Sequence, residues 1–353
     1  MIIVEEKYMR RALQIACNGR FHTSPNPMVG AVIVHSSGKI IGEGYHRQCG
    51  SGHAEVNAIA SVKERALLQD STIYVTLEPC AHYGKTPPCS QLIIDSKIPR
   101  VVVGCTDPFA KVSGRGISML KAAGIEVVTG VLTDECRALN RRFIISHTMQ
   151  RPMITLKWAQ SKDGFMDHRR MPNEASAKFS TPITSMLVHR LRAEHDAIIA
   201  GSNTITTDNP RLDTRLWDGN SPRIIIMDHG NIISPEAHIF QAHQKPIYLG
   251  SLPHKKIDRH TEWLKIDCDE NLSECMTALY KYGITSLFVE GGATLLHSFI
   301  KKDLWDTARV ETSPIELRDK GRIQAPFIAK SPSLVEEVDG NLISFYENHE
   351  TAK

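Results

Sequence analysis

Two short segments carry residue types that could do chemistry together. One is His53-Ala54-Glu55; the other runs from Pro79-Cys80 through the inserted AHYGKTPP to Cys89. An imidazole and two thiolates are three of the four ligands a tetrahedral zinc takes, and a site with only three protein ligands leaves the fourth position open to water. Zinc held by His53, Cys80 and Cys89 would lower the pKa of such a water towards about 7 and make it a nucleophile at neutral pH. Glu55, two residues after the histidine, can stand beside the metal without ligating it and move protons between the water and a leaving amine. A structural zinc would ordinarily take four protein ligands and has no use for that carboxylate.

The elements around these residues suit the task. Residues 53–66 (HAEVNAIASVKERA) show apolar positions at helical spacing, which puts His53 and Glu55 in a first helical turn. Residues 72–77 (TIYVTL) read as a buried strand that Glu78-Pro79 stops just before Cys80. The thiols then sit at a strand end and a helix start, where exposed amides and the helix dipole favour thiolate. Upstream, residues 5–18 form a helix, and the turn-rich 25–30 (PNPMVG) feeds a strand at 31–34 that pairs with 40–45 as a hairpin. Downstream, strand 101–105, helix 116–123, strand 125–131 and helix 134–145 alternate, which predicts a layered α/β domain with a parallel or mixed sheet and helices on both faces. Asn26 and His46 flank the hairpin and could face the metal, or serve as a turn asparagine and a surface histidine. Lys111 and Arg115 follow a strand end, where they could reach a phosphate or simply be solvated.

A His-x-Glu followed by Pro-Cys-x-x-Cys is the signature of zinc deaminases acting on cytosine or adenine. Here eight residues, not two, separate Cys80 from Cys89. With that spacing, the words HAE and PCAHYGKTPPC resemble the deaminase half of the bifunctional riboflavin-biosynthesis deaminase-reductases. The resemblance implies that the PNPxVG loop lines the pyrimidine site, which makes Asn26 a substrate contact. It departs from the family at Phe109-Ala110, where Asn-Pro is common.

At 353 residues the chain is comfortable for two domains, and 42 basic against 39 acidic residues leave a net charge of only +3. That balance argues against a polyanion as main partner and leaves room for a small phosphorylated substrate. Eight cysteines are scattered without a disulfide framework, which points to a reducing compartment. With no apolar run long enough to span a bilayer and an amphipathic N-terminus carrying early acids, neither a signal peptide nor a membrane span is expected, so a cytoplasmic protein is.

Residues 147–152 (HTMQRP) break the helical pattern and a strand follows at 153–158, which places a domain boundary near 147–151. Further on, strands 197–200 and 286–289 each run into a glycine-containing turn, Gly201-Ser202-Asn203-Thr204 and Gly291-Gly292-Ala293-Thr294-Leu295. A backbone that comes close to a ligand, followed by a helix N-terminus, suits a phosphate, although a tight turn alone explains each word. No G-x-G-x-x-G follows a strand here, so a Rossmann site is not indicated.

This half resembles the reductase domain of the same bifunctional family, with a dihydrofolate-reductase-like α/β fold. The words are LKWAQSKDG at 156–164, HRLRAEHDAI at 189–198, Thr204 through Asp208-Asn209-Pro210 to Leu212 and Arg215, and Val289-Glu290-Gly291-Gly292-Ala293. The resemblance implies NADPH contacts at Ala159, Thr204, Asp208, Gly292, Ala293, Thr294 and Leu295, and substrate contacts at Ser176, Arg192, Leu212, Arg215 and Glu290. Arg192 and Arg215 make sense as a clamp on the ribose phosphate, since guanidinium forks pair with phosphate oxygens; a helix-surface salt bridge with Glu194 is the other account of Arg192. The chain departs from the family at Lys178, where a tryptophan is common, and at His229, where a small hydroxyl residue is.

The fold expected is therefore a cytidine-deaminase-like three-layer α/β/α domain over 1–147 and a dihydrofolate-reductase-like α/β domain over 151–347. The function implied is zinc-dependent deamination of a diaminopyrimidinone bearing a phosphoribosylamino group, with Glu55 as proton carrier, then NADPH-dependent reduction of the ribosyl chain to ribityl. The family adds a homodimer or higher homo-oligomer, and neither nucleic acid nor membrane as partner. A nucleic-acid-editing zinc deaminase with an RNA-binding second half is the competing reading; the long ligand spacing, the near-neutral charge and the lack of an aromatic-plus-basic cluster count against it.

Overall fold

A computed structural model describes residues 4–82, 87–107, 114–168, 170, 174–228, 230, 232–253, 256–266 and 271–348. The chain divides into two compact units, Met1–Met149 and Gln150–Lys353.

The first unit runs α1 (Glu6–Ala16), β1 (Gly30–His35), β2 (Ile40–Tyr45), α2 (Ala54–Ser61), β3 (Ser71–Leu77), α3 (Cys89–Asp95), β4 (Arg100–Cys105), α4 (Arg115–Ala122), β5 (Glu126–Thr129), α5 (Thr133–Leu139) and α6 (Arg141–Met149). Its strands form one sheet in the order β2-β1-β3-β4-β5, antiparallel about β1 and parallel from β3 to β5. Strand alternation divides the core in two. Ala31 and Ile33 of β1 pack with α2 and α3 through Ala58, Ile59 and Ile93, whereas Val32 and Val34 pack with Met9 and Ala12 of α1 and Cys136 of α5. Helices thus cover both faces, the expected three layers, and β3 is buried along its whole length.

The helices differ from the sequence pattern in three places. α2 ends at Ser61, short of Ala66, because the Ser61 hydroxyl donates to the Ala58 carbonyl (2.7 Å) and accepts from the Glu43 amide (3.0 Å), bonds that compete with another turn. The helix expected over 134–145 is two helices, broken at Asn140. That side chain is buried and doubly bonded to the backbone of Met28: Oδ1 accepts from the Met28 amide (2.8 Å) and Nδ2 donates to its carbonyl (2.9 Å). α6 then continues to Met149, past the break expected at His147.

The second unit runs β6 (Met153–Gln160), β7 (Phe165–His168), α7 (Pro182–Ala193), β8 (Ala197–Gly201), α8 (Ser202–Asp208), β9 (Arg223–Met227), β10 (Ile247–Gly250), β11 (Glu262–Lys265), α9 (Leu272–Lys281), β12 (Ser286–Val289), α10 (Ala293–Lys301), β13 (Thr307–Thr312), β14 (Gly321–Gln324), β15 (Leu334–Val338) and β16 (Asn341–Glu347). Nine strands form a sheet in the order β11-β10-β9-β8-β12-β6-β13-β16-β15, parallel from β11 to β13 and antiparallel over the last two pairings; β14 pairs with β7 apart from it. One face carries an apolar core of Ile154, Leu156, Ile199, Leu287 and Val289 beneath Met276 of α9 and Phe299 of α10. The other face is apolar at Ile198, Ile226 and Phe288. At β6 and β13 it becomes a buried polar ladder, with Thr155 facing Thr307 and Lys157 facing Arg309, and with Glu311 two residues further on.

Among the described residues, Cys17, Cys49, Cys80, Cys89, Cys105 and Cys136 are free thiols, whereas Cys275 is disulfide-bonded. A single bridge leaves no framework pattern, so the cysteine spacing gave no sign of it. No helix among the described residues is long and apolar enough to cross a membrane.

Two buried side chains bear measurable weight. Asn140→Ala leaves the Met28 amide and carbonyl without partners and is expected to destabilise the first unit by about 2 kcal/mol. All four tryptophans (Trp158, Trp217, Trp263, Trp305) lie in the second unit. Far-UV circular dichroism and faster exchange at the Met28 amide should therefore report the change, and a shift of the fluorescence transition alone would contradict it. In the second unit, Asp306 takes both Arg151 nitrogens (2.6 and 2.8 Å) and the Ile154 amide (2.7 Å) in a buried site. Asp306→Ala removes the counter-charge of that buried guanidinium and should cost about 3–5 kcal/mol in a urea melt followed by tryptophan fluorescence; a loss below about 1 kcal/mol would show the pair to be dispensable.

Candidate functional site

His53 is the residue that caps α2 in extended conformation, and Glu55 is the second residue of that helix. Cys80 follows the end of β3, and Cys89 opens α3 after Pro88. These three places converge. His53 Nδ1 lies 3.7 Å from Cys80 Sγ and 3.4 Å from Cys89 Sγ, and all three donor atoms fall within 4.8 Å of one another. A tetrahedral zinc about 2.3 Å from sulfur and about 2.0 Å from nitrogen separates such donors by about 3.5 Å, so the residues fit the ion. The Cys89 amide donates to Cys80 Sγ (3.2 Å). Hydrogen bonding from the Cys89 thiol, joined by His53 and that amide, holds the Cys80 thiol down at about 4, against the effect of burial. The expectation that both thiols are favoured as thiolate therefore holds at Cys80 alone: the Cys89 thiol, bonded to Cys80 and buried, is pushed up. Glu55 is 3 % exposed, and burial pushes its carboxyl up to about 7.

Two of the three ligands, His53 and Cys80, border a cavity of ≈ 570 Å³ together with Glu55, whereas Cys89 is buried. Its wall includes His53, Glu55 and Cys80, and also Asn26, Pro27 and Val29 from the loop that Asn140 anchors. His46 lines it too, and its neutral form is favoured by burial. With Nδ1 against the Gly52 carbonyl (3.2 Å), its Nε2 takes the amide of Asn26 (3.2 Å), which turns the Asn26 side chain to a fixed angle. The structure thus places both Asn26 and His46 on the pocket wall. Asp107, which begins the strand-end segment expected to bind, is on the wall, and Glu78, Phe143 and His147, not singled out as site residues from the sequence, are there too. Phe143 and His147 sit one helical turn apart on α6 with rings 4.4 Å centre to centre. That i, i+4 aromatic spacing was the available signal. Lys111 and the Phe109-Ala110 departure lie outside the described residues, as do Tyr83, Gly84, Lys85 and Thr86 of the insert.

In the second unit, β8 and β12 run parallel and each delivers a helix, α8 at Ser202 and α10 at Ala293 with Gly292 as its cap. Between them lies a cavity of ≈ 280 Å³ lined by Gly201, Ser202, Asn203, Thr204, Gly292, Thr294, Leu295 and, at the far end, Ser298 and Lys302. The Gly292 amide donates to Thr204 Oγ1 (3.0 Å), joining the two turns. Two helix starts at the carboxyl ends of parallel strands, with Lys302 past the end of α10 also on the lining, are suited to a dinucleotide phosphate, so the residues fit NADPH. Of the predicted cofactor contacts, Thr204, Gly292, Thr294 and Leu295 line this cavity; Ala293 is the first residue of α10; Ala159 is half-buried near the end of β6; and Asp208, at the end of α8, is paired with Arg170.

The predicted substrate residues gather separately. Arg192 Nε donates to Glu290 (2.8 Å) and its Nη1 to the Asp213 carbonyl (2.9 Å), while Lys157 lies 3.4 Å from the other Glu290 oxygen. Burial works against the Glu290 charge, but Arg192 and Lys157 outweigh it and hold its carboxyl at about 2. Glu194 pairs with Arg190 (3.0 Å), so the helix-surface bridge is Arg190's and not Arg192's. Arg215, more than half exposed, pairs with the Asp213 carboxylate. The Leu212 side chain is in the core, with its backbone at φ 55, and Ser176 is half-buried in the stretch before α7. Lys178 is exposed, and His229 lies outside the described residues.

Comparison with known proteins bears on both units. Residues 3–105 match the cytidine and deoxycytidylate deaminase zinc-binding region, and residues 152–324 match the RibD C-terminal domain. The chain is 39% identical to the riboflavin biosynthesis protein RibD of Aquifex aeolicus over 88% of this chain and 87% of that one. It is 35% identical to the protein of the same name from Escherichia coli, over 88% of each. Among solved structures, a diaminohydroxyphosphoribosylaminopyrimidine deaminase/5-amino-6-(5-phosphoribosylamino)uracil reductase from Thermotoga maritima superimposes with a TM-score of 0.88 at 33% identity, covering 98% of both chains. The first unit has the cytidine-deaminase-like fold and the second that of the RibD reductase domain, with zinc and NADPH as their cofactors. A metal triad of the right spacing and a reductase unit in one chain, together with this likeness over nearly its whole length, place the protein in the riboflavin biosynthesis RibD family.

Proposed function

We propose that this chain catalyses two consecutive steps of riboflavin biosynthesis: hydrolytic deamination of 2,5-diamino-6-(5-phosphoribosylamino)pyrimidin-4(3H)-one, then reduction of the ribosyl side chain to ribityl. The observation that carries the reading is the triad of His53, Cys80 and Cys89 at tetrahedral spacing with buried Glu55 on the wall of the same cavity. The deaminase domain is assigned to 1–147 and the reductase domain to 151–347. The nucleic-acid-editing alternative is not favoured, since the second half matches the RibD C-terminal domain.

In the first domain, His53, Cys80 and Cys89 would hold zinc, which supplies a water activated at neutral pH. Glu55 accepts the proton of that water and returns protons to the ring and to the departing amine, so that ammonia leaves and a carbonyl remains. Asn26, held by His46, offers a fixed amide to the pyrimidine edge. In the second domain, Ala159, Thr204, Asp208, Gly292, Ala293, Thr294 and Leu295 would hold NADPH, which supplies the hydride to C1 of the ring-opened ribose. Ser176, Arg192, Leu212, Arg215 and Glu290 would orient the substrate. Arg192 is pre-set by its bonds to Glu290 and Asp213, and the exposed Arg215 is free to turn toward a phosphate at little cost. The enzyme works on a phosphorylated small molecule, in the cytoplasm, as a homodimer or higher homo-oligomer, without nucleic acid or membrane.

Glu55→Gln tests the reading. Ammonia release should fall by about 10²–10⁴-fold while the protein keeps one zinc per chain and still oxidises NADPH when given the deaminated intermediate. Removing zinc with a chelator should abolish ammonia release and spare that reduction. Ammonia release at the wild-type rate in the Glu55→Gln protein would contradict the reading.

A further inference from the structure

We propose that Glu78 is a positioning residue of the deaminase: its carboxylate ties the strand end that delivers Cys80 to the pocket wall that carries Asp107. The inference rests on the deaminase reading of this site. Glu78 directly follows β3, lies two residues before Cys80 and is 6 % exposed. Its own amide donates to the Cys105 carbonyl at the end of β4 (2.9 Å). Its Oε2 accepts from the amides of Asp107 (3.2 Å) and Gly114 (2.9 Å), and its Oε1 from those of Gly116 (2.9 Å) and Ile117 (3.4 Å).

Gly116 and Ile117 open α4, where backbone amides have no intrahelical acceptor. The capping residue of α4 is Gly114, at φ 77, which has no side chain with which to accept them. Glu78 therefore caps this helix from another part of the chain. The contact is close on the backbone side as well, since a Cβ on Gly116 would fall 1.9 Å from the Pro79 carbonyl oxygen. α4 and the Glu78-Pro79-Cys80 step are packed as one piece. Holding α4 would account for two of the four bonds. The bond to Asp107 does something else, because Asp107 and Glu78 both line the cavity that holds Glu55. A polar heterocycle must meet fixed partners to sit correctly against the reacting atoms, and misplacement by about 1 Å can cost about 10²-fold. Glu78 supplies that fixity on the wall at Asp107.

The test uses the full chain in a Glu55→Gln background, where turnover is blocked and substrate affinity can be read by calorimetry. Adding Glu78→Gln replaces one acceptor oxygen by an amide that cannot accept. We expect substrate affinity to drop at least about tenfold, with faster hydrogen exchange at Asp107, Gly114 and Gly116 and one zinc retained per chain. Glu78→Asp, which keeps both oxygens on a shorter arm, should recover part of the affinity. Unchanged affinity in the Glu78→Gln protein overturns the inference. Should that variant lose its zinc, the Glu78→Asp protein decides by the same criterion: weaker binding with zinc retained supports the role, and unchanged binding removes it. If wild-type protein releases no ammonia and the Glu55→Gln parent binds no substrate, the deaminase reading itself has failed and takes this inference with it.

Discussion

Three electron-rich atoms, one imidazole nitrogen and two sulfurs, are brought within 4.8 Å of one another where exposed His53, half-buried Cys80 and buried Cys89 meet in the first unit. Such a cluster is electrostatically costly unless a cation or a shared proton holds it together, and much of the unit is arranged to keep it there. β3 is buried along its length so that its end, and with it Cys80, cannot drift. α2 and α3 each present a ligand at their first turn, where the backbone changes direction and amides are unpaired; the Cys89 amide uses this to hold Cys80. Glu78 and Gly116 then fasten α4 to the same strand end. Asn140 fastens the opposite wall through Met28. The site is rigid because its ligands are element ends, and each end is tied by hydrogen bonds that do not involve the metal.

The second unit solves a different problem with a polar strip. The parallel strands are apolar on both faces near β8 and β12, but β6 and β13 carry Lys157, Arg309 and Glu311 on the face where Glu290 and Arg192 also meet. Buried charges hold only when paired. Glu311 accepts from Ser180 (3.0 Å), Arg309 (3.2 Å) and Asn341 (2.7 Å), and Asn341 also donates to the Phe179 carbonyl (2.8 Å). The chain segment just before α7, where Ser176 lies, is thereby held to the sheet. The second cavity is built in another way, from two glycine-containing turns joined by the Gly292 to Thr204 bond. The polar strip and the cavity thus draw on different parts of one sheet.

Much of this was legible in the sequence for a physical reason: metal ligands and phosphate turns are constrained by residue type as well as by position. His53, Glu55, Cys80 and Cys89 can be read from one line because an imidazole, two thiols and a carboxylate at this spacing suit one metal site, whereas Thr204 and Gly292 were picked out by the family resemblance, a glycine-containing turn after a buried strand being a weak signal by itself. What was not legible depends on partners distant in sequence. The break at Asn140 comes from bonds to a residue 112 positions away. Glu78 reads as part of a strand stop, yet its partners are backbone amides, which have no residue identity to recognise. Arg192 looks as if it should pair with Glu194, and the turn of α7 gives that partner to Arg190 instead.

The central claim, that one chain removes an amine and then reduces a sugar, is tested most directly by mass spectrometry of products. Purified zinc-loaded protein is incubated with the diaminopyrimidinone ribosylamino phosphate, with and without NADPH. The account predicts exchange of amine for carbonyl without the cofactor, and a further gain of two hydrogens only when NADPH is present. A substrate that returns unchanged under both conditions would contradict it.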